Sequence, residues 1–175
     1  MTALEPVTMS VQLPIVFRFA TKTDLPKLEW YGQYAHFRNL FSRAFREQLK
    51  GRRLMLLADC NNFPVGHVFI SLRSANRAIA DGERRAYLYS LRVMEMFRGH
   101  GIGTRLILEA EAILRERGIT WTTIAVAKDN PHARRLYERL GYSIFAEDTG
   151  QWSYIDHKGE SRVVNEPCWI LEKQI

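Results

Sequence analysis

The sequence has little of what marks a disulfide-rich, zinc-binding or membrane protein. Its two cysteines, Cys60 and Cys168, stand 108 positions apart and outside any Cys-x-x-Cys or Cys/His spacing, which argues against a zinc site and a disulfide framework. No run approaches about 18 apolar residues, and the segment 1–14 has no basic stretch followed by an apolar one, so neither a membrane span nor a signal peptide is predicted. We therefore expect a soluble, cytoplasmic protein without a metal, with two free, buried thiols.

Long blocks of one charge are also missing. No stretch of about five or six consecutive basic residues occurs, which weakens the case for a nucleic-acid-binding tail. The chain nevertheless has 25 Lys and Arg against 19 Asp and Glu, a net charge of +6 and a pI of about 9.5. This balance is typical of a protein that binds a nucleic acid or a phosphorylated cofactor, or of a solvated basic surface.

The length of 175 residues and the 46% apolar content fit one globular domain over residues 1–175, with residues 1–13 poorly ordered or peripheral. Apolar spacing over residues 24–50 predicts two helices, broken around residues 30–34. Short apolar runs bounded by turn residues predict strands. The predicted strands are 15–20, 53–60, 65–73, 86–93, 121–127, 142–147, 152–156, 162–165 and 168–173.

The middle of the chain determines the predicted topology. Helical spacing predicts a helix over residues 101–117, which Gly118 terminates. A second helix follows the next strand, with Asn130 as its cap, Pro131 at its first position and Gly141 as its end. Strand, helix, strand implies a right-handed crossover between two parallel strands, whereas segments 53–60 and 65–73 form a hairpin. The predicted fold class is α/β with a mixed sheet.

A glycine-rich loop lies between the strand over 86–93 and the helix that follows it. Glycines at such a turn let the backbone approach a ligand, and the free N–H groups of the first helical turn favour a phosphate; a tight turn that merely caps the helix is the alternative. A dinucleotide fingerprint fails because Thr104 or Leu106 stands where its last glycine belongs, and a Walker loop fails because no lysine is near. The loop reads Arg98-Gly99-His100-Gly101-Ile102-Gly103-Thr104.

Two motifs at this spacing carry a family resemblance. The loop has the pattern R-x-x-G-x-G, and residues 130–142 have the pattern N-x-x-A-x-x-L-Y-x-x-x-G-Y. Together they resemble the GNAT superfamily of N-acyltransferases, closely over residues 86–142 and in element order over 15–173. The resemblance implies a mixed, mostly antiparallel sheet with a central parallel pair flanked by helices. It also implies acetyl-coenzyme A (acetyl-CoA) as cosubstrate.

The resemblance assigns residues to the cofactor. It implies that the backbone of Arg98 to Thr104 holds the pyrophosphate. The backbone of Leu91, Arg92 and Val93 is similar to the strand segment that pairs with the pantetheine arm. Asn130 is similar to the amide that contacts this arm, and capping the helix is an equal and compatible role. Nine basic and six acidic residues lie between residues 92 and 139, so half of the net charge falls in this segment and requires no nucleic-acid partner.

Tyr137 matches the general acid of the family. A phenol with an ordinary pKa of about 10 holds its proton at neutral pH and can give it to a leaving thiolate; burial in the helix face of Ala133, Leu136 and Leu140 is the alternative. No direct carboxylate base is expected on the strand 86–93, because it lacks the acidic residue that many relatives carry there. Glu83, Glu95 and Asp156 are near in sequence, and each is interpreted as a solvated turn residue.

The resemblance implies an acceptor pocket between the first two helices and a late hairpin, here residues 30–45 and 151–165. Phe37, Phe41 and Phe45 are predicted to be core residues. Aromatic rings able to hold an amine cation are predicted at Trp30, Tyr31, Tyr34 and His36. Few acids lie in these segments, which favours a single amine of a peptide, a protein or a small metabolite. A catalytically silent acetyl-CoA sensor, or a module binding RNA, is the competing reading, and the residues do not decide between monomer and homodimer.

Overall fold

The structure is a computed structural model that describes residues 5–175. Residues 5–14 are exposed and have no regular secondary structure, and the rest of the predicted peripheral segment, residues 1–4, lies outside the described residues. The described chain contains nine strands and three α-helices. They are β1 (Val16–Phe19), α1 (Arg38–Leu49), β2 (Arg53–Cys60), β3 (Phe63–Ser71), β4 (Arg85–Val93), α2 (Ile102–Glu116), β5 (Trp121–Ala127), α3 (Pro131–Arg139), β6 (Ser143–Asp148), β7 (Gln151–Ile155), β8 (Ser161–Asn165) and β9 (Cys168–Gln174).

Seven strands form one sheet in the order β1-β2-β3-β4-β5-β9-β6, and β7 pairs with β8 in a separate hairpin. The parallel pair is β4 and β5, which α2 connects, and the other neighbours in the sheet are antiparallel. The β2–β3 hairpin turns at Asn61 and Asn62, both with positive φ, as a tight hairpin turn requires. The predicted fold class, a mixed and mostly antiparallel sheet with a central parallel pair, is confirmed.

Alternating side chains of β2 build a core on each face of the sheet. Leu54 and Leu56 pack in the cluster formed with α2, whereas Met55 and Leu57 pack with Phe41 of α1. The strand is buried on both faces, which explains its nearly continuous apolar sequence. Burying one leucine in this way contributes about 1.5–3 kcal/mol to folding. The two helices therefore cover opposite faces of the sheet.

The first of the two helices predicted over residues 24–50 is wrong. Three short 3₁₀ turns, Lys22–Asp24, Lys27–Glu29 and Ala35–Phe37, precede α1. Trp30 and Tyr31 adopt left-handed backbone angles, with φ of 43° and 58°, which no α-helix accommodates. The Trp30 indole Nε1 donates a hydrogen bond of 2.8 Å to the carbonyl oxygen of Pro64, so a buried tertiary contact holds the break in place.

A bulge in β4 opens the centre of the sheet. His67 pairs with Arg92 and Phe69 pairs with Tyr89, so β4 has one residue more than β3 between these pairs, and Ser90 has a φ of 55°. Such a bulge bends the strand and shifts its alternation by one. The β4–β5 pairing stops at Leu88 and its partner on β5. Beyond that point, within the described chain, β4 and the end of β5 present unpaired edges to each other.

The β7–β8 hairpin is tied to α1 and to its own turn. Asn39 Nδ2 donates to the carbonyl oxygen of Asp156 at 2.7 Å. The Asp156 side chain is buried and accepts hydrogen bonds from the amides of Lys158 and Glu160 and from Arg162 Nε. Burial alone would raise the pKa of this carboxyl, but these bonds lower it to about 2. The interpretation of Asp156 as a solvated turn residue is therefore wrong, because its carboxylate organises the turn.

Candidate active site

The split between β4 and β5 opens into a cavity of about 590 Å³ on the α1 face of the sheet. This volume lies in the range of small-molecule sites. Its walls come from α1, from the strands β2 to β7, from β9 and from the segments that precede β7 and follow β8. The lining residues include Phe37, Phe41, Arg43, Arg53, Tyr87, Tyr89, Ser90, Arg92, Asp148, Gly150, Trp152, Glu166 and Cys168.

The predicted phosphate loop lies at the start of α2. Gly99 and Gly101 have φ of 77° and 79°, and both face open space. Ile102 is buried and begins the helix, so its backbone remains for a ligand while its side chain belongs to the core. Arg98 Nε donates to the Val93 carbonyl oxygen at 2.9 Å. The backbone N–H groups of the first turn of α2, which includes Gly103 and Thr104, have no hydrogen-bond partner within the helix.

Gly103 differs from the other two glycines of the loop. Its backbone is helical, and a Cβ placed there would lie 3.8 Å from Val93 Cγ2, an ordinary contact. The fold itself therefore does not require glycine at this position. Glycine at position 103 is explained physically if a ligand approaches the backbone closely there, because a side chain would block that approach.

The other predicted cofactor residues lie around the split. Leu91, Arg92 and Val93 follow the last β4–β5 pair, so one edge of their backbone is free of β5. The exposed His100 is held by a 3.2 Å contact between Nδ1 and the Phe97 carbonyl oxygen. Asn130 caps α3, as predicted, because its Oδ1 accepts a hydrogen bond from the Ala133 amide at 3.1 Å.

Tyr137 lies on α3 and packs in the core cluster shared with α2. Its exposed fraction is 6%, and burial raises the pKa of its phenol to about 12. The hydroxyl forms no hydrogen bond with any residue between 5 and 175, whereas the neighbouring Tyr142 hydroxyl donates to Glu111 and contacts Thr122. Tyr137 thus holds a proton that no described side chain or backbone group accepts.

The bulge at Ser90 determines which β4 side chains face the cavity. Tyr87, Tyr89 and Arg92 all line it, although strict alternation would place Arg92 on the opposite face from the two tyrosines. Burial raises the pKa of Tyr87 and, against the charge of Arg53, that of Tyr89. Both phenols therefore stay protonated at neutral pH. The family resemblance assigned a role in cofactor binding only to the backbone of Arg92. In the structure the side chain of Arg92 lines the cavity.

Two carboxylates that the sequence did not single out lie at the mouth of the cavity. Asp148 ends β6 opposite Cys168, and Glu166 precedes β9. Gly150 contacts both residues: its amide donates to Asp148 Oδ1 at 2.7 Å, and a Cβ on it would meet the Glu166 carbonyl oxygen at 1.8 Å, a close approach that only glycine permits. Both carboxylates are exposed to solvent. Of the acids predicted from sequence, Glu83 and Glu95 are exposed turn residues, as expected, and neither lines this cavity.

None of the four aromatic residues predicted for an acceptor pocket lines the main cavity. Trp30 is buried, and Tyr31 is exposed and stacks on Phe63. Tyr34 and His36 lie beside Phe37 without lining the main cavity. The rings that line it include Phe37 and Phe41, which were predicted as core, together with Trp152. The late hairpin contributes Trp152 and its neighbours to the walls of this cavity.

A half-buried thiol lines the cavity, and a buried imidazole lies in the core. The prediction of two buried thiols is wrong for Cys168, which is only half-buried and lines the cavity, whereas Cys60 is buried. His67 is fully buried, and neither ring nitrogen has a partner among the described residues. Burial and the charge of Arg92 lower the pKa of His67 well below its ordinary value, so its ring is neutral. Residues 5–175 contain no group of three or more potential metal ligands.

Comparison with known proteins identifies the family. The model of the acetyltransferase (GNAT) family matches residues 19–142. The chain belongs to the acetyltransferase (GNAT) family. This confirms the resemblance carried by the glycine loop and by the segment around Tyr137, both of which lie in the matched region.

Curated GNAT relatives match only part of the chain. A mycothiol acetyltransferase of Nocardiopsis dassonvillei is 36% identical over 70 residues, which cover 40% of this chain and 21% of the relative. A mouse (Mus musculus) thialysine N-epsilon-acetyltransferase is 33% identical over 78 residues, 45% of each chain. The chain thus spans from about a fifth to just under half of the length of these relatives.

Solved structures show the same GNAT fold over nearly the whole chain. Ard1 from Thermoplasma volcanium superposes with a TM-score of 0.70 at 18% identity, covering 92% of this chain and 97% of that one. PaiA N-acetyltransferase from Thermoplasma acidophilum, solved in complex with coenzyme A, gives 0.67 at 18% identity, covering 93% and 99%. At this identity the likeness concerns the fold alone. No helix in the described chain is both long and apolar enough to cross a membrane.

Proposed function

We propose that this chain is an N-acetyltransferase that moves an acetyl group from acetyl-CoA to a primary amine of a peptide, a protein or a small metabolite. The observation that carries the proposal is the split between β4 and β5. It lies between a helix start suited to phosphate and a cavity suited to an acceptor. Acetyl-CoA supplies the thioester, whose carbonyl carbon an amine attacks.

The cofactor is assigned to the backbone of the loop and of β4. The amides from Arg98 to Thr104 would hold the pyrophosphate at the positive end of the α2 dipole. Arg98 has guanidinium N–H groups left for a phosphate after its bond to Val93. The free edge of Leu91 to Val93 suits the amides of the pantetheine arm. Asn130 uses its oxygen as a cap and retains its NH₂ group for the same arm.

Tyr137 is assigned the role of general acid. Its phenol holds its proton through the physiological pH range because burial raises its pKa to about 12. It lies on the α2 face of the split, opposite the cavity. When the carbon–sulfur bond breaks, the hydroxyl would transfer its proton to the leaving thiolate.

The attacking amine must lose a proton, since an alkyl amine with a pKa of about 10 is only about 0.1% neutral at pH 7. We assign this step to Asp148 and Glu166, which attract the ammonium to the cavity mouth and accept its proton through water. Their exposure to solvent suits such a relay. These carboxylates take the place of the acid that is missing from β4.

Thiol release tests the proposed function against a catalytically silent sensor. Wild-type protein is incubated with acetyl-CoA and a panel of primary amines, and free thiol is measured. We expect release to rise well above the rate without amine and to match the N-acetylated product mole for mole. Binding of acetyl-CoA without amine-dependent thiol would support the sensor, and retention of RNA at moderate salt without either would support a nucleic-acid module.

A further inference from the structure

The side chain of Arg92 faces the acceptor cavity in an unusual environment. Its Cζ lies 4.8 Å from the ring centre of Tyr34 and 4.9 Å from that of Phe37. Its Nη1 donates a 2.5 Å hydrogen bond to Ser90 Oγ. Stacking against rings leaves the N–H edge of a guanidinium available in its own plane. The charge is thus held rigidly at the cavity wall.

No carboxylate within residues 5–175 forms an ion pair with Arg92, although the negative charge of Glu166 acts on it from a greater distance and opposes the lowering of its pKa. Two other partly buried arginines have carboxylate partners, Arg18 with Asp24 and Arg85 with Glu172. Within residues 5–175, neither Arg92 nor the other cavity arginines, Arg43 and Arg53, form an ion pair with a carboxylate. Burial lowers the pKa of Arg92. A desolvated charge without a direct ion-pair partner is costly, and a bound anion would offset that cost.

The phosphates of the cofactor are poorly placed to be that anion. The glycine loop opens at the start of α2, whereas the Arg92 side chain lies on the α1 face with Tyr34 and Phe37. The acceptor shares this face. Asp148 and Glu166 line the same cavity from β6 and from the segment before β9. The cavity therefore offers carboxylates to a cation and arginines to an anion.

We infer that the acceptor carries an oxyanion, a carboxylate or a phosphate, a few bonds from its amine, and that Arg92 binds this group. The inference rests on the proposed function and names its substrate class. Arg92 is then a specificity residue: it holds the acid while the amine lies at the split. Because Ser90 and two rings already fix the guanidinium, little side-chain freedom is lost when the acid binds.

Matched acceptors test the inference on wild-type protein. The pairs are leucine and phenylalanine against their carboxamides, amidated peptides beginning with Glu against Gln, and phosphoethanolamine against ethanolamine. For at least one pair we expect kcat/KM to be about 10- to 100-fold higher for the acid, the range of a charge-assisted bond in a desolvated site. The pair that responds identifies whether the acid is a main-chain carboxylate, a side-chain carboxylate or a phosphate.

An arginine variant tests the residue. In Arg92→Gln we expect about equal kcat/KM for the acid and for its neutral counterpart. Coenzyme A should still raise the melting temperature, because the backbone of β4 is unchanged. Arg77→Gln, which removes the same charge from an exposed loop, should keep the full preference. If Arg92→Gln fails to fold, Arg92→Lys keeps the charge without the stacked plane and should reduce the preference.

Several outcomes would overturn the inference. Equal rates within every pair, or a preference for the neutral member, would exclude an acid-binding role while leaving acetyl transfer intact. A preference that survives in Arg92→Gln would assign it to another residue. If no acceptor is acetylated and coenzyme A leaves the melting temperature unchanged, the proposed function fails together with the inference.

Discussion

Replacing Tyr137 with phenylalanine should lower kcat by about 10²- to 10⁴-fold, the usual worth of a general acid, with little change in KM. The ring still fills its place in the core cluster. Its hydroxyl has no hydrogen-bond partner among residues 5–175, so its removal breaks no bond of the fold that the structure records. The measurement is steady-state turnover at saturating acetyl-CoA, with binding of coenzyme A determined in parallel.

Tyr142 provides the matched control. Its hydroxyl bonds to Glu111 and Thr122 in the core, so Tyr142→Phe should reduce stability and leave kcat within a few-fold of wild type. Turnover of Tyr137→Phe within about a factor of two of wild type would contradict the general-acid role. Tyr137 would then be a packing residue, and solvent would supply the proton.

The pH dependence of the wild type follows from the same burial. Because burial raises the pKa of the Tyr137 phenol to about 12, half of the activity that depends on its proton should be lost near that pH and little of it near pH 10. A fall in rate near pH 10 would therefore report another group. An unperturbed phenol with a pKa of about 10 would instead lose its proton, and with it the activity, about two pH units lower.

Placing a side chain at Gly103 should remove cofactor binding while leaving the fold intact. Coenzyme A at a hundredfold excess over its Kd should stabilise the wild type by about 2.7 kcal/mol, which corresponds to roughly 5–10 °C in melting temperature for a chain of this length. Gly103→Ala should weaken binding by about tenfold or more and Gly103→Val should abolish the shift, because a side chain would block approach to the backbone.

The Gly103 variants separate an effect on cofactor binding from an effect on folding. The Gly103 backbone is helical and a Cβ there makes only ordinary contacts, so Gly103→Ala should leave the unliganded protein at least as stable. Gly159→Ala, at a turn with φ of 81°, strains the backbone elsewhere and should keep the full coenzyme A shift. An undiminished shift in Gly103→Val would place the cofactor elsewhere.

The parts of the fold with strong local signals were predictable from sequence. The α2 and α3 helices have apolar stripes, and Asn130, Gly118 and Gly141 stand at their ends as capping rules require. The 3₁₀ turns before α1 were not predictable. Left-handed Trp30 and Tyr31 are held by tertiary packing, and their residue types favour no such conformation.

The cofactor side of the candidate site could be proposed from sequence, but the acceptor side could not. The glycine loop and Tyr137 lie in contiguous motifs. The position of Arg92 depends on the Ser90 bulge, which shifts the alternation of β4 without a sequence signal. Asp148 and Glu166 come together only through β6–β9 pairing and the close contact at Gly150.

We expect acetyl transfer to take place at the β4–β5 split. A crystal structure of the protein with bound coenzyme A tests it most directly. We expect the pyrophosphate on the amides of Arg98 to Thr104, the pantetheine arm bonded to the backbone of Leu91 to Val93, and the sulfur facing Tyr137 with the cavity beyond it. Coenzyme A bound outside the split, or with its sulfur remote from Tyr137, would contradict the account.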